Sequence, residues 1–379
     1  MIRCQLQKGN SYGKWPKTER FFSLLKCLIF PVPTLLLLVA MLGAWGCRFV
    51  APSDFMPIAY LGLGFPLILI IYIIWVIILV IFGAWRQLLL LLPTVICIPI
   101  MLDTFPINIS SKSAIDANAK TFKLLTYNVG AFLYRKNATS GIAKLIENGD
   151  YDVVCLQEYI EFRAKENEEF SKLFAIYPYS TVGNMTVDSH NRVVTLSKHK
   201  IVRSGVASKG KANNRAIYSD IVVGNDTIRV INAHLASNHI SYTDKQEIDS
   251  ISHGMKVDKV KDKIHTLDKK VSNNYVIREQ MANDIDSLMA HTKTKVIVCG
   301  DFNDVPVSYV YHKIKGDRMS VANEELGWGY NYTFREAPFY FCIDHILYQT
   351  DGFDCLDYER LKVPYSDHYP SMMQFSIKQ

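Results

Sequence analysis

The sequence "KVIVCGDFNDVP", residues 295–306, joins a strand-like run to a group of polar residues. Its first half is apolar after Lys295, which is typical of a β-strand buried on both faces. The run passes directly into Asp301, Asn303 and Asp304. Residues i and i+2 of an extended chain share a face, so Asp301 and Asn303 are predicted to point together into one cleft.

Other strand-like runs also stop at a polar or acidic residue. The residues that end, interrupt or follow such runs are Asn128, Glu158, His234, Asp344, Asp367 and His368. If the strand ends converge, the cleft holds acids, amides and two histidines, and it needs a cation or strong hydrogen bonds to offset their desolvation. Oxygen ligands without cysteine favour Mg²⁺, or Mn²⁺, over structural zinc.

The order of elements indicates the fold class. After residue 121, short strand-like runs alternate with amphipathic helical stretches, and no internal repeat is visible. This alternation predicts an α/β sandwich of two sheets covered by helices. The charged stretch 243–273 is predicted to be a solvated helix beside the cleft, with a specificity element as the alternative. The eight cysteines show no paired metal spacing and indicate no disulfide framework.

Six short motifs carry a resemblance to a known family. In chain order they are "TYNV", "DVVCLQE", "NAHL", "GDFND", "IDHIL" and "SDHYP". Together they resemble the endonuclease/exonuclease/phosphatase superfamily, which includes DNase I-like nucleases, abasic-site endonucleases, neutral sphingomyelinases and inositol polyphosphate 5-phosphatases. The resemblance covers about residues 121–379. It implies a DNase I-like two-layer sandwich flanked by helices, and hydrolysis of a phosphodiester or phosphomonoester by in-line attack of an activated water.

The resemblance also implies a metal site. Glu158 would be the main Mg²⁺ ligand, with Asn128 beside it. Asp367 would contribute directly or through water. One departure from some nuclease members is that Val129-Gly130 follow Asn128, where those members carry an extra acid.

Catalytic roles follow from the same resemblance. Asp301 would orient or deprotonate the attacking water, while Asn303 and His234 would hold phosphate oxygens. His368 would act as general acid/base or contact the phosphate, with Asp344 accepting its other ring N–H.

Several of these residue types have structural interpretations as well. Asp301 and Asn303 could cap a turn, and Asp304 is predicted to be a turn residue. Because neighbours in a strand point to opposite faces, His345 is predicted to pack in the core when Asp344 faces the site. Arg215 could reach a phosphate or lie on the surface.

The N-terminal part of the chain is strongly apolar. Between Cys27 and Leu102 only Arg48, Asp54 and Arg86 carry full charges. We predict a three-helix transmembrane anchor within residues 27–105, with helices at about 27–45, 58–85 and 88–102. A cleaved signal peptide is disfavoured because two more apolar segments follow the first one.

The charges flanking these segments predict an orientation. Residues 1–26 form a basic tail with six bases and one acid, which is typical of the cytoplasmic side. Three crossings would place residues 121–379 on the extracytoplasmic side of a bacterial inner membrane, after a polar linker at 106–120. If the third segment only dips into the membrane, the orientation reverses.

Charge and anchoring bear on the function without fixing the substrate. Residues 1–120 carry ten bases and four acids, whereas the remainder carries 32 of each. A neutral catalytic domain disfavours a dedicated duplex-DNA nuclease, and a tether favours a membrane-proximal phosphoester such as a lipid head group. Extracytoplasmic cleavage of DNA or RNA and a non-catalytic binding protein with the same fold remain alternatives. The apolar helices offer a poor transport pathway because they hold almost no ionisable residues. No protein partner is indicated.

Overall fold

The computed structural model of the protein describes residues 29–108, 120–183, 191–210, 215–238, 257–336 and 339–378. The predicted tail at 1–26, most of the predicted linker at 106–120 and part of the charged stretch 243–273 lie outside the described residues.

Helices dominate the described residues from 29 to 104, and strands alternate with helices from residue 121 onward. The helices are α1 Pro31–Gly46, α2 Met56–Leu63, α3 Phe65–Ile81, α4 Trp85–Leu90, α5 Ile98–Thr104, α6 Ala138–Gly149, α7 Glu161–Glu166, α8 Glu168–Ile176, α9 Val257–Ala290, α10 Tyr309–Lys315 and α11 Ala322–Leu326. The strands are β1 Thr121–Asn128, β2 Val153–Ile160, β3 Tyr179–Val182, β4 Asn191–Ser197, β5 Ile201–Ser208, β6 Arg215–Val223, β7 Asp226–His234, β8 Lys295–Asp301, β9 Met319–Val321, β10 Phe334–Glu336, β11 Phe339–Phe341, β12 Asp344–Gln349, β13 Phe353–Arg360 and β14 Ser371–Ile377. Short 3₁₀ turns occur at Leu92–Cys97 and Gly130–Phe132.

Two six-stranded sheets form the centre of the structure. Their strand orders are β13-β14-β1-β2-β4-β3 and β5-β6-β7-β8-β12-β9, and β10-β11 form a separate hairpin. The pairs β1–β2 and β7–β8 are parallel, and the other described pairs are antiparallel. The predicted α/β architecture of two sheets with flanking helices is confirmed.

The alternation of side chains along each strand divides the core into layers. In β1, Phe122 and Leu124 pack between the two sheets, whereas Leu125 and Tyr127 face the other way, toward α6 and α8. In β8, Ile297 and Cys299 lie between the sheets, whereas the alternate residues face α9 and α10. One face of each central strand is therefore committed to the inter-sheet core.

The three continuous apolar helices predicted at 27–45, 58–85 and 88–102 are not supported. Among the described residues, no single helix is long and apolar enough to cross a membrane, although α2 and α3 together satisfy the criteria as a pair bent by 66°. The bend falls at Gly64–Pro66, where proline cannot donate the backbone hydrogen bond that a continuous helix requires. Pro93 and Pro99 accompany a similar division of 88–102 into α4, a 3₁₀ turn and α5.

The chain divides into two compact units. One contains the described residues up to Leu42 together with Pro66–Ile96, and the other contains Gly43–Phe65 and the chain from Cys97 onward. In the first unit, the Phe30 ring contacts Trp75 edge-on at 5.6 Å, and the indole Nε1 donates to Thr34 Oγ1 at 3.0 Å. The second unit holds both sheets.

Candidate active site

The predicted site residues lie at one end of the inter-sheet core. Asn128, His234 and Asp301 are the last residues of β1, β7 and β8. Each continues the face of its strand that lies between the sheets, and all three are buried. Because β1–β2 and β7–β8 are parallel pairs, the carboxyl ends of these four strands meet at the same edge. The core thus ends in polar side chains.

Glu158 reaches this edge by a break in its strand. If side chains alternated strictly along β2, Glu158 would face away from the inter-sheet core, on the same side as Val154 and Leu156. Instead the register shifts between Leu156 and Tyr159, and Glu158 adopts a φ of 51°. Its Oε1 lies 3.5 Å from Asn128 Nδ2 and 3.6 Å from His234 Nε2, and its side chain is 30% exposed. The bulge therefore supplies a partly exposed carboxylate at the mouth of the site.

Asp301 lies at the centre of the cluster and is almost fully buried. Its Oδ2 accepts from Asn128 Nδ2 at 2.9 Å, and its Oδ1 accepts from the Asn303 backbone N–H at 2.8 Å. The preceding Gly300 has a φ of 131°, and a Cβ there would lie 2.0 Å from the carbonyl oxygen of Ala233. Only glycine fits this close approach of β8 to β7.

Asn303 reaches the site in a different conformation from the one predicted. The strand ends at Asp301, and Asn303 has a φ of 52°, so the extended geometry predicted for the two residues does not hold. The left-handed conformation closes a turn on the Asp301 carboxylate, and Asn303 Nδ2 donates to the carbonyl of Leu235 at 3.1 Å. Asn303 therefore lies beside the end of β7, next to His234.

Asp344 and His368 form a buried pair. The His368 Nδ1 lies 2.8 Å from Asp344 Oδ2, and its Nε2 lies 3.8 Å from Asp301 Oδ2. Within the described parts of the chain, the ligand atoms of Asp301, Asp344 and His368 all lie within 4.8 Å of one another. His345 points to the opposite face, as predicted, where its Nε2 contacts the Asp304 carbonyl at 2.9 Å and its ring packs on Phe302.

Burial and charge set the protonation of this cluster. Burial, followed by the neighbouring Asp344 carboxylate, raises the pKa of Asp301. For His368, burial acts to lower the pKa, but the carboxylates of Asp344 and Asp301 outweigh it and raise the pKa well above its ordinary value. The His368 imidazole is thus favoured in its cationic form next to Asp301.

The loop that carries Asp367 is held by Ser366, which the sequence analysis did not single out. The buried Ser366 Oγ lies 2.8 Å from the carbonyl oxygen of Asn128 and 3.0 Å from Asp367 Oδ1, so these two acceptors share its single proton. It also accepts from the His368 backbone N–H at 3.2 Å. The serine of "SDH" therefore ties Asp367 and His368 to the end of β1. Its position in the "SDHYP" motif was the only feature of the sequence that pointed to this role.

A second missed feature is a pair of buried amides behind the site. Gln157 Nε2 donates to Asn232 Oδ1 at 2.7 Å and to Thr126 Oγ1 at 3.0 Å. Asn232 Nδ2 donates to the carbonyl of Val194 at 2.9 Å. Gln157 precedes Glu158 and Asn232 lies two residues before His234, so this contact fixes one sheet against the other directly beneath the edge that holds the candidate site.

Arg215 also lies close to the site. It pairs directly with His234 across β6 and β7, so the two side chains share a face. Its Nε is buried and has no hydrogen-bond partner. The sequence left open whether Arg215 reaches a phosphate or lies on the surface, and this position fits the first of these interpretations.

The donor set fits a hard divalent cation. Glu158 and Asp367 offer carboxylate oxygens, and the ligand atoms of Asp301, Asp344 and His368 form a compact group. Asn128 turns its Nδ2 toward the carboxylates while its Oδ1 accepts from the Gly130 N–H at 3.1 Å. Both ring nitrogens of His234 are buried without a hydrogen-bond partner. Such unpaired groups are expected where a ligand supplies the missing partner.

Comparison with known proteins matches two regions of the chain. Residues 125–368 match the Endonuclease/Exonuclease/phosphatase family, and residues 26–104 match a family described as a domain of unknown function. No curated protein matches.

Solved structures resemble this chain over about two thirds of its length, at low sequence identity. A family protein from Bacteroides thetaiotaomicron is 14% identical with a TM-score of 0.50, over 69% of this chain and 100% of that chain. The human Nocturnin catalytic domain, solved with a bound sulfate anion, is 16% identical with a TM-score of 0.48, over 70% and 96%. Truncated TDP2 from Caenorhabditis elegans is 15% identical with a TM-score of 0.47, over 68% and 98%. At these identities only the fold is informative.

The family match covers more than half of the chain and includes all eight predicted site residues. It coincides with the two-sheet architecture and with the acidic and histidine cluster at the strand ends, where the family's divalent-metal-dependent chemistry is expected. The chain therefore belongs to the endonuclease/exonuclease/phosphatase family.

Proposed function

We propose that the protein is a membrane-anchored, Mg²⁺-dependent phosphoesterase that hydrolyses a phosphodiester or phosphomonoester. The observation that carries this proposal is the Asp344–His368–Asp301 cluster, which lies beside Glu158 and His234 at one edge of the two sheets. Such a cluster provides an oriented base, a cationic imidazole and a carboxylate for a metal within one cleft.

The metal would be held by Glu158 as the principal ligand, with Asn128 beside it and Asp367 contributing directly or through water. Mg²⁺, or Mn²⁺, would neutralise charge on the phosphoryl oxygens when bound. The partial exposure of Glu158 suits a ligand that must be reached from solvent. Ser366 would keep Asp367 within reach of this position because it fixes the loop to β1.

Asp301 would orient the attacking water and accept its proton. Burial raises the pKa of Asp301, which makes the carboxylate a stronger base than one in water. Its Oδ1 is already held by the Asn303 N–H, so Oδ2 is the atom that faces the other site residues. The water would attack phosphorus in line with the leaving oxygen.

The histidines and the amide would stabilise the phosphoryl group. His234 has unpaired ring nitrogens at the site, and Asn303 lies beside it. His368 receives orientation from Asp344 through Nδ1, which leaves Nε2 to contact a phosphoryl oxygen or to donate a proton to the leaving group. Arg215 would add a further positive charge on the face shared with His234.

An anchoring role is proposed for the apolar N-terminal region. In the first compact unit, many of the large aliphatic side chains on α1 and α3 are about half exposed or more, among them Leu36 at 66% and Ile81 at 73%. A surface of this kind is expected to lie against lipid rather than water. With the basic tail at 1–26 in the cytoplasm, the catalytic domain at 121–379 would face the extracytoplasmic side of a bacterial inner membrane.

This orientation is tested by C-terminal fusions in bacteria. A reporter enzyme that matures only outside the cytoplasm should be active, and a fluorescent reporter that matures only inside should be dark. The reverse result would place the catalytic domain in the cytoplasm, as the arrangement with a re-entrant third segment requires.

The substrate is proposed to lie close to the membrane, as a lipid head group would. A second candidate is single-stranded nucleic acid, favoured by a stack of side chains beside Asp367. There the Arg335 guanidinium lies 4.8 Å from the ring of Tyr134 and 4.9 Å from the ring of Tyr369, and the Arg335 backbone N–H donates to the Asp367 carbonyl at 3.0 Å. Tyr134 is 41% exposed and could stack on a base.

The first experiment uses the full-length protein in mild detergent with Mg²⁺, Mn²⁺ or EDTA. The substrates are sphingomyelin, phosphoinositides, single- and double-stranded DNA, RNA and bis-p-nitrophenyl phosphate. EDTA-sensitive cleavage of one class supports the proposal and names the substrate family. If no substrate is cleaved and Mn²⁺ does not bind, the result would favour a non-catalytic binding protein.

Two variants test the site itself. Glu158→Gln and His368→Ala are expected to lower kcat at least about 100-fold while retaining the fold, because each removes a group that acts on the phosphoryl centre. His199→Ala is the matched control, since His199 pairs with Asp152 at 3.1 Å near the opposite end of the same sheet. Near-normal turnover in both site variants would contradict the assignment.

A further inference from the structure

Arg278, on α9, is a fully buried arginine outside the catalytic cluster. Its guanidinium contacts three separate groups. Nε donates to the carbonyl of Ala236 at 2.9 Å, Nη2 donates to Asn238 Oδ1 at 2.6 Å, and Nη1 lies 3.1 Å from Asp304 Oδ2. The ring of Tyr275 lies 4.5 Å below it. A charge this deeply buried needs such partners to remain in the core.

Each of these partners belongs to a loop that follows a catalytic strand. Ala236 and Asn238 come two and four residues after His234, which ends β7. Asp304 comes directly after Asn303, whose own side chain donates to the carbonyl of Leu235. One side chain on α9 thus spans both loops.

The second loop is fixed from its far side as well. Asp304 Oδ1 accepts from the Val305 N–H at 3.0 Å, and its backbone carbonyl contacts His345 Nε2 at 2.9 Å. Asp304 is nearly fully buried, and burial raises the pKa of its carboxyl group, an effect that the Arg278 guanidinium opposes. Asp304, predicted as a simple turn residue, is therefore a charged member of a buried network.

We propose that Arg278 is a positioning residue that holds the loops after His234 and Asn303 in their catalytic arrangement. This inference rests on the proposed phosphoesterase activity. Arg278 touches neither metal nor substrate, and it acts through the backbone of the two loops. The planar guanidinium donates two hydrogen bonds and forms an ion pair with the Asp304 carboxylate in a third direction, which a lysine ammonium on a flexible stem does not reproduce. Misplacement of catalytic groups by about 1 Å lowers turnover roughly 100-fold.

The chain provides a matched control for the loss of a buried ion pair. Arg229 on β7 donates to both carboxylate oxygens of Asp220, at 2.7 and 2.8 Å, and both residues are almost fully buried. Arg229 lies five residues before His234, about 17 Å along the strand. Arg278→Met and Arg229→Met therefore remove the same kind of interaction from the same half of the molecule, near the site in one case and far from it in the other.

The experiment compares Arg278→Met, Arg278→Lys and Arg229→Met in the full-length protein. It measures kcat and KM on the substrate found active, together with amide hydrogen exchange. The expected result is a kcat lowered 10- to 100-fold in Arg278→Met, a KM within about threefold of wild type, and a partial loss in Arg278→Lys. Exchange should accelerate at residues 234–238 and 302–305. Arg229→Met should retain kcat at a similar loss of thermal stability.

Equal losses of kcat in Arg278→Met and Arg229→Met would overturn the proposal, and so would an unchanged kcat in Arg278→Met. If Arg278→Met does not fold, Arg278→Lys and Asp304→Asn are compared with Arg229→Lys by the same criteria. If the wild type cleaves none of the substrates, the proposed function fails, and amide exchange alone tests the positioning role of Arg278. Faster exchange in Arg278→Met that is confined to the two loops supports that role. Unchanged exchange, or faster exchange throughout the protein, overturns it.

Discussion

Strained backbone conformations mark the candidate site at the scale of single residues. Among the described non-glycine residues, those with positive φ are Ala131, Phe132, Asp150, Glu158 and Asn303. Four of them lie at or directly beside the catalytic edge, and Asp150 ends α6. Such conformations persist only where the surrounding structure enforces them, and they aim Glu158 and Asn303 into the site.

Gly300 offers a test of how tightly the strands must approach. Gly300→Ala should destabilise the fold by at least about 3 kcal/mol, because its Cβ would meet the Ala233 backbone, which cannot move aside. Gly316→Ala is the control, since Gly316 has a φ of 51° with nothing within 4 Å of the added Cβ. Its cost should be limited to the strain of the backbone at φ 51° and ψ −152°, about 1–3 kcal/mol, with no added steric clash. Denaturant unfolding measures the free energy of unfolding of both variants. Equal losses of stability in the two would contradict the close approach of β8 to β7.

His345 provides a prediction for pH dependence. Burial lowers the pKa of His345 to about 4. Between its ordinary value near 6.5 and pH 4, the unfolded chain binds a proton that the folded chain does not, so stability falls as the pH falls through this window. The full contribution is about 3 kcal/mol.

In His345→Gln the free energy of unfolding should therefore decline less between pH 7 and pH 4 than in the wild type. Glutamine retains an N–H donor for the Asp304 carbonyl, to which His345 Nε2 bonds. The buried His312, whose pKa burial lowers to about 3, contributes the same sign in both proteins and cancels in the comparison. If the free energy of unfolding changed with pH equally in the wild type and in His345→Gln, His345 would not be held in its neutral form.

At the scale of elements, alternation and strand-end chemistry were readable from the sequence. The runs before Asn128, His234 and Asp301 indicated buried strands, and their polar ends marked the site. The bulge at Glu158 was not readable, because a register shift depends on the partner strand β4. The role of Arg278 was also hidden, since it depends on where α9 lies. Hydropathy overestimated the apolar helices because it averages over Gly64 and Pro66.

The contact between Gln157 and Asn232 predicts coupling between the two sheets. Asn232→Leu should destabilise the protein by about 2 kcal/mol, because it leaves Gln157 Nε2 without its 2.7 Å acceptor in the core. Gln157→Met should cost a similar amount. The double variant should be less destabilised than the sum by about 1 kcal/mol or more. Unfolding in urea measures all four proteins, and strict additivity would show that the two amides are energetically independent.

At the scale of the whole molecule, the boundary of the catalytic unit differs from the boundary suggested by composition. Residues Gly43–Phe65 group with the sheets although they lie within the apolar N-terminal region. Ser53 donates to both carboxylate oxygens of Glu279 at 2.9 Å, and Tyr60 OH donates to Asp268 at 2.6 Å. These contacts follow one side of α9, the helix that carries Arg278.

This arrangement predicts the effect of removing the N-terminal region. A chain of residues 106–379 should retain the sheets but show faster amide exchange and faster proteolysis in the described part of α9 before residue 279, because Ser53 and Tyr60 no longer hold it. Tyr60→Phe in the full-length protein should shift exchange in the same direction by a smaller amount, since it loses the hydrogen bond and keeps the ring contact with Tyr275 at 6.2 Å.

Tyr179→Phe, on the exposed edge strand β3, is the control and should leave α9 unchanged. Amide hydrogen exchange in the β-strands of the truncated chain gives an internal reference. Global unfolding would accelerate exchange in the strands and in α9 together. If α9 exchanges equally in the full-length and truncated proteins, residues 43–65 contribute nothing to it. If α9 alone loosens, the catalytic unit includes part of the apolar region, and activity measured on a chain cut at the linker would underestimate that of the intact protein.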